Sequence, residues 1–183
     1  GSDSILIDPE SGNELNVFRF TQNDAHLYGI EFNFDIHPHP LDWLHFENTF
    51  SYTRGQFKHA IDGSKNIPFI PAAKLISELR GNFLSKAKTF KNLYLSISGD
   101  YTFGQDNAFT GYNTETPTSS YFLINAGVGA DIASKGKTIM SVHLSGFNLR
   151  NEAYQNHLSR LKYAAENMVT GRTGRSEEHT SEL

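Results

Sequence analysis

The stretch Trp43–Thr53 reads WLHFENTFSYT and alternates apolar with polar residues at a period of two. The apolar positions are Leu44, Phe46, Phe50 and Tyr52, and the polar positions are His45, Glu47, Thr49, Ser51 and Thr53. Successive side chains of a β-strand point to opposite faces of the sheet. The stretch therefore predicts a strand with one face suited to hydrocarbon and the other suited to water.

The same alternation recurs along the chain and predicts about seven strands. The clearest copies are Tyr28–Ile36 and Leu93–Phe103. Each is close to the roughly 9–11 residues that a tilted strand needs to cross a bilayer. The other predicted strands are Glu14–Thr21, Ala73–Phe83, Tyr121–Ile132 and Thr138–Asn148.

The predicted connections alternate between short turns and long polar loops. The short turns are His37–Asp42, Ser85–Lys91 and Ala133–Lys137. The long loops are Gln56–Pro71, Gln105–Ser119 and the region after Asn151, and we expect them all at one end of the sheet. Membrane barrels place short turns in the periplasm and long loops outside. The pattern predicts an all-β fold, an antiparallel up-and-down meander that forms a partial wall of an outer-membrane β-barrel.

Two sets of residues define the faces of this predicted sheet. The apolar set, expected on the convex face, is Leu44, Phe46, Phe50, Leu93, Leu95, Ile97, Ile124 and Val128. The carboxylates expected on the concave, lumen-facing side are Glu31, Glu47, Glu78 and Asp100. A soluble ligand-binding β-barrel would place its apolar residues inside instead, and periodicity alone does not distinguish the two arrangements.

Composition limits the classes of protein that fit. The 183 residues have a mean hydropathy of -0.45. No apolar run approaches the roughly 18 residues of a membrane-spanning helix. An aromatic content of 13% suits strands with interfacial aromatic residues and equally suits a soluble β-sandwich core. Cysteine is absent, which excludes disulfides and thiolate metal sites.

The two ends of the chain carry separate signals. Gly1 begins no signal peptide, so for an exported protein we expect a preceding segment. The last nine residues, Arg175–Leu183, read RSEEHTSEL, which is the translation of a sequencing-library adapter in one frame. Residues 175–183 are therefore expected to be a non-native tail after a native segment, 1–174. Without the tail's one arginine and three glutamates, 15 basic and 17 acidic residues remain, and this balance gives no support to nucleic-acid binding.

Four segments carry a family pattern. They read LYGIEFNFDIHPHPLDWLHFENTFSYTRGQF (Leu27–Phe57), NIPFIPAAKLISELR (Asn66–Arg80), FNLRNEAYQNHLSRLKY (Phe147–Tyr163) and NMVTGR (Asn167–Arg172). Together they resemble the C-terminal barrel region of TonB-dependent receptors of the Bacteroidetes type. Gly29 and Glu31 match the family's G-x-E strand, which follows an outer loop. Phe147–Tyr154 matches the family's N-L-F-N-K-x-Y segment in a shifted and partly substituted form.

The resemblance implies both an architecture and a function. Such receptors form a 22-stranded barrel around an N-terminal plug domain, so the plug and the closing strand would lie outside this chain. The implied location is the cell outer membrane, and the implied function is energised uptake of a scarce nutrient such as a ferric siderophore, without enzymatic activity. The implied partners are outer-membrane lipid, a TonB-type energising complex acting through the N-terminal part, a small-molecule or oligomeric nutrient, and a surface lipoprotein. No nucleic acid and no cofactor is expected.

Ligand contact is predicted in two of the long loops, whose aromatic and hydrogen-bonding groups can stack on and orient a small molecule. The candidate residues are Phe57, Lys58, His59, Phe109, Tyr112 and Asn113. Within HPHP, Pro38 and Pro40 predict a turn. No carboxylate is singled out by its spacing from a histidine, so no metal site is predicted.

An enzyme-class alternative is an outer-membrane barrel hydrolase. Carboxylates on the predicted lumen face have the chemistry of glycoside hydrolysis. Such an enzyme would also need a Ser/His or Asp/His pair at the outer rim, and none stands out. Polar residues inside a wide barrel are the ordinary expectation. No catalytic residue is predicted.

Overall fold

The computed structural model describes residues 6–7, 14–15, 22–83, 89–135, 137–159 and 162. Its main sheet has seven antiparallel strands: β3 (Ala25–Ile36), β4 (Leu44–Ile61), β5 (Ser64–Asn66), β6 (Lys74–Phe83), β7 (Phe90–Thr102), β8 (Tyr121–Ser134) and β9 (Lys137–Gly146). Two further strands, β1 (Leu6–Ile7) and β2 (Glu14–Leu15), form a separate pair. A 3-10 turn covers Gly111–Asn113. Among the described residues, no helix has the length and apolar character to cross a membrane.

The strands follow one another in an open up-and-down sheet. Their order is β3-β4-β6-β7-β8-β9, and β5 pairs with the part of β4 that extends beyond β6. Within the described residues, the sheet does not close on itself. The all-β fold class and the antiparallel meander are thereby confirmed.

A continuous register places the two predicted sets of residues on opposite faces. Phe46 opposes Leu79, which opposes Ile97. On the other face, Glu47 opposes Glu78. Because directly opposed residues of antiparallel strands share a face, each set lies on one side of the sheet. We call these sides the apolar face and the polar face, and the predicted separation of the sets is confirmed.

The apolar face is exposed across the width of the sheet. Ile97 in β7 is 53% exposed, and Leu144 in β9 is 71% exposed. Within the described part of the chain, the buried hydrophobic residues are limited to Ala108, Phe109 and Ala133. A soluble monomer rarely exposes so large a continuous apolar surface. The described residues supply no second layer that would cover this face.

Aromatic side chains lie at both margins of the apolar face. At the turn end, where the β3–β4 connection lies, Trp43 packs against Phe83 with ring centroids 5.1 Å apart. At the opposite, loop end, Tyr101 contacts Phe103 at 4.7 Å and Phe122 at 6.5 Å. Phe122 also covers Gly99, where an added Cβ would lie 2.8 Å from the ring. Aliphatic residues fill most of the surface between the two margins.

The predicted loop Gln56–Pro71 is wrong in its first half. Strand β4 continues to Ile61 and joins β5 through Asp62 and Gly63, which have φ values of 44° and 78°. An Asp-Gly pair suits a hairpin turn because both residues tolerate positive φ. The candidate ligand residues Phe57, Lys58 and His59 therefore lie on a strand and not in a loop.

Other boundaries also differ from prediction. Of the first predicted strand, Glu14–Thr21, the structure describes only Glu14–Leu15, which is not part of the main sheet. The main sheet has seven strands because it includes the unpredicted strand β5. The predicted turn Ser85–Lys91 lies partly outside the described residues, and β7 begins within it at Phe90. The predicted turn Ala133–Lys137 is shorter because β8 continues to Ser134. Register shifts near both turns keep the strands paired there.

Candidate functional site

The long connections meet at the loop end of the sheet. The Asn66 amide donates to the Ala108 carbonyl at 3.0 Å, and the Gln105 amide donates to the Ile70 carbonyl at 3.0 Å. Tyr154 packs on Tyr121 with ring centroids 4.6 Å apart. The prediction that these loops share one end is confirmed for the described part of each.

A single buried carboxylate connects the three segments. Glu115 is 3% exposed. One of its oxygens accepts the Phe69 N–H, and the other accepts the Phe109 N–H at 2.8 Å. The second oxygen also lies 3.7 Å from Nε2 of His157. Glu115 therefore holds two segments against the β7–β8 loop in which it lies. These segments are the connection between β5 and β6 and the region after β9.

A buried lysine completes this cluster. Lys162 is 1% exposed and donates to the carbonyls of Thr116 and Pro117 at 2.8 Å and 3.1 Å. It also donates to Oγ1 of Thr118 at 2.6 Å. Oγ1 of Thr118 also lies within hydrogen-bond distance of Nδ1 of His157, 2.8 Å away. Nε2 of His157 faces Glu115. We call Glu115, Thr118, His157 and Lys162 the loop lock.

Burial lowers the pKa of His157 below its ordinary value. The desolvated imidazole disfavours its charged form, and the Lys162 ammonium acts in the same direction. The Glu115 carboxylate opposes both effects but does not reverse them. The neutral imidazole is thus the form that the loop lock favours.

The loop lock is expected to weaken as the pH falls below about 6.5, the ordinary imidazole pKa. A released His157 binds a proton more readily than the packed one, so acid favours the released loops. The packing free energy is fully present above that pH and is lost progressively toward the lowered pKa of the packed residue. Hydrogen exchange of the Phe109 amide, corrected for its intrinsic pH dependence, should become faster across this window. In His157→Gln, which does not titrate, a persisting pH dependence would assign the effect to another group.

Hydroxyl, imidazole and carboxylate also line up in the loop lock as they do in a catalytic triad. The rim of the sheet is where the hydrolase alternative would need such a group. However, Thr118 is 6% exposed, and its oxygen already accepts the Lys162 ammonium. A nucleophile must reach substrate, whereas this hydroxyl is enclosed. The arrangement therefore supports a packing role.

The predicted ligand residues have different environments. Phe109 is buried and contacts Phe57 at a centroid distance of 6.2 Å. Tyr112 is 69% exposed, and its N–H donates to Asp62. The exposed Lys58 pairs with Asp24 at 3.0 Å, and the exposed His59 accepts the Asn23 amide through its carbonyl oxygen. Asn113 lies in the 3-10 turn, and its side chain is outside the described structure. Tyr112, Lys58 and His59 are thus accessible to a ligand at this end of the sheet.

A cleft lies at the loop end of the sheet, between β4 and the segments that precede β6 and follow β7. Its walls include Tyr52, Arg54, Gly55, Ile70, Gln105 and Asn107. Nη1 of Arg54 is buried and has no hydrogen-bond partner among the described residues. A guanidinium group suits a carboxylate or phosphate oxygen. Sequence patterning missed Arg54 because a single arginine in a polar stretch carries no periodic signal.

No family model matches the chain, and no curated protein matches it either.

Proposed function

We propose that this chain is part of the wall of an outer-membrane β-barrel of the TonB-dependent receptor type, which takes up a scarce nutrient with energy from the inner membrane. The observation that carries the proposal is the exposed apolar face, which extends from β3 to β9. Lipid chains suit such a face because they cover it without a second protein layer. The polar face then lines the lumen.

The spacing of the aromatic margins agrees with a bilayer. Leu93 opposes Phe83 at the turn end, and Tyr101 follows eight residues later on the same strand. At about 3.4 Å per residue and a tilt of about 40°, this stretch spans roughly 21 Å along the membrane normal. The apolar band of outer-membrane barrels is about 25 Å tall and is flanked by aromatic girdles.

The open edges of the sheet support a wall that continues on both sides. Strands β3 and β9 each lack a second neighbour within the described residues. An unpaired backbone group in hydrocarbon costs several kcal/mol. In a bilayer, further strands must therefore pair with both edges, as they would in a larger barrel.

The loop end would be the extracellular, ligand-capturing end of this wall. The loop lock holds three segments together there, and Arg54 and Tyr52 both line the cleft. This chemistry suits a ligand that carries anionic oxygens, as ferric siderophores do. The proposed role of the segment is wall and ligand-facing rim.

Single cysteines test the proposed topology, because the chain has no cysteine of its own. In intact cells that export the complete polypeptide carrying this segment, we expect a membrane-impermeant maleimide to label Tyr112→Cys. Lys135→Cys, at the turn end, should react only after the outer membrane is permeabilised. Leu144→Cys should resist the reagent in both conditions because lipid covers it, while the adjacent Ser145→Cys on the polar face should react.

For each pair of cysteine variants, one labelling result would contradict the proposed topology. Equal labelling of Leu144→Cys and Ser145→Cys would remove lipid as the partner of the apolar face and would favour the soluble β-barrel. Equal labelling of Tyr112→Cys and Lys135→Cys in intact cells would place both ends of the sheet on one side of the membrane.

A further inference from the structure

Three metal-ligating side chains meet on the polar face at the turn end. Asp35 is near the end of β3, and His37 follows it two residues later on the same face. The register that pairs Ile36 with Phe46 brings His45 of β4 opposite His37. The hairpin therefore assembles a group of one carboxylate and two imidazoles that sequence spacing did not reveal.

The distances in this group suit a common ion. Oδ2 of Asp35 lies 2.7 Å from Nε2 of His37 and 3.9 Å from Nδ1 of His45. One ligand atom from each residue lies within 4.8 Å of the other two. A tetrahedral ion with bonds of about 2.0–2.2 Å holds its ligand atoms roughly 3.3–3.6 Å apart. Small rotations of the three side chains would reach that geometry.

The surrounding charges favour a cation. Asp35 opposes Glu47, and Glu47 opposes Glu78, so three carboxylates form a row across β3, β4 and β6. Like charges directly opposite each other destabilise a sheet. Arg80, which opposes His45, lies 4.0 Å from the ring centroid of Tyr94. Its guanidinium thus packs toward β7, away from the acidic row.

We propose that Asp35, His37 and His45 bind a divalent first-row transition metal ion, with Zn²⁺ as the best fit to two imidazole nitrogens and one carboxylate oxygen. The ion ties β3 to β4 at the turn end and offsets the repulsion within the acidic row. Three protein ligands leave a fourth position to water. This site is independent of the proposed transport function, because all three ligands lie in one hairpin.

The test is a Zn²⁺ titration. The complete polypeptide that carries this segment is purified in detergent and freed of metal with a chelator before Zn²⁺ is added. We expect saturable binding that is weakened by Asp35→Asn, His37→Ala and His45→Ala. Loss of an outer-shell partner alone costs roughly 10–100-fold in metal affinity, so each ligand variant should lose at least about tenfold. The matched control is His39→Ala. His39 lies in the same turn, is 87% exposed and pairs with Asp42 at 3.0 Å, without a third ligand.

A second measurement maps the ion without any substitution. Zn²⁺ should protect His37 and His45 from diethylpyrocarbonate, as read by mass spectrometry, and should leave His39 reactive. Unchanged modification of His37 and His45 at saturating Zn²⁺ would overturn the proposal. Affinity that falls as far in His39→Ala as in His37→Ala would also overturn it, as would wild-type affinity in all three ligand variants.

Discussion

Replacing Ile97 with lysine is expected to lower the amount of folded protein in the outer membrane, whereas the same change at the adjacent Ser98 is expected to leave that amount unchanged. Ile97 lies on the apolar face, halfway along β7 between Leu93 and Tyr101. A lysine at the midplane of the bilayer costs about 2–4 kcal/mol. Folded proteins are stable by only about 5–15 kcal/mol, so this loss is a large fraction of the total.

Ser98 is the matched control because it differs from Ile97 mainly in the face it occupies. It opposes Glu78 and accepts a hydrogen bond from the Asn125 amide at 3.4 Å. A lysine there would extend into the polar face and meet a carboxylate of opposite charge. We expect its effect on the free energy of unfolding to be about 0–1 kcal/mol.

Both effects can be measured in the same way. The variants of the complete polypeptide are compared by their amount in the outer-membrane fraction and by urea unfolding in lipid vesicles. A larger loss for Ser98→Lys than for Ile97→Lys would place the polar face against lipid, which contradicts the proposed wall. Equal and small losses would show that neither face meets hydrocarbon.

The faces of the sheet could be predicted from sequence because strand periodicity is a local property. The alternation in Trp43–Thr53 is sufficient to assign each side chain to a face, and the strand register then extends that assignment across the sheet. The prediction that β4 ends before Gln56 is wrong for an equally local reason. Residues 56–61 break the period-two alternation, and their pairing with β3 and β5 outweighs this local irregularity.

The candidate sites could not be predicted, because each joins residues that are distant in sequence. Glu115 and His157 are 42 positions apart and lie in irregular segments, where no period relates one side chain to the other. Asp35 and His45 are closer, yet their contact depends on the register of the hairpin. One observable signal was available: Asp35 near the end of β3, His37 two residues later and His45 in the facing strand share a face. Nothing in the sequence indicates that Arg54 has a buried, unpaired nitrogen.

Removing the carboxylate of Glu115 is expected to release the loop end while the sheet stays folded. Glu115→Ala leaves the N–H groups of Phe69 and Phe109 without their acceptor. A buried donor without a partner, here the Phe109 N–H, costs about 1–3 kcal/mol, and the more exposed Phe69 N–H costs less. Local opening free energies fall accordingly, so these two amides should exchange roughly 5- to 150-fold faster. The amide of Ile97 in the sheet should keep its rate.

Asp106→Ala is the matched control for this prediction, because Asp106 is an exposed acid in the same loop. Its removal should leave the exchange of Phe69 and Phe109 unchanged, since no described hydrogen bond of the loop lock involves it. If the loop lock shapes the ligand-binding rim, Glu115→Ala should also weaken ligand capture at the cell surface, and Asp106→Ala should not. Unchanged exchange of both amides in Glu115→Ala would show that the three segments pack without the buried carboxylate. Accelerated exchange throughout β7 would show instead that the loop end and the sheet unfold as one unit.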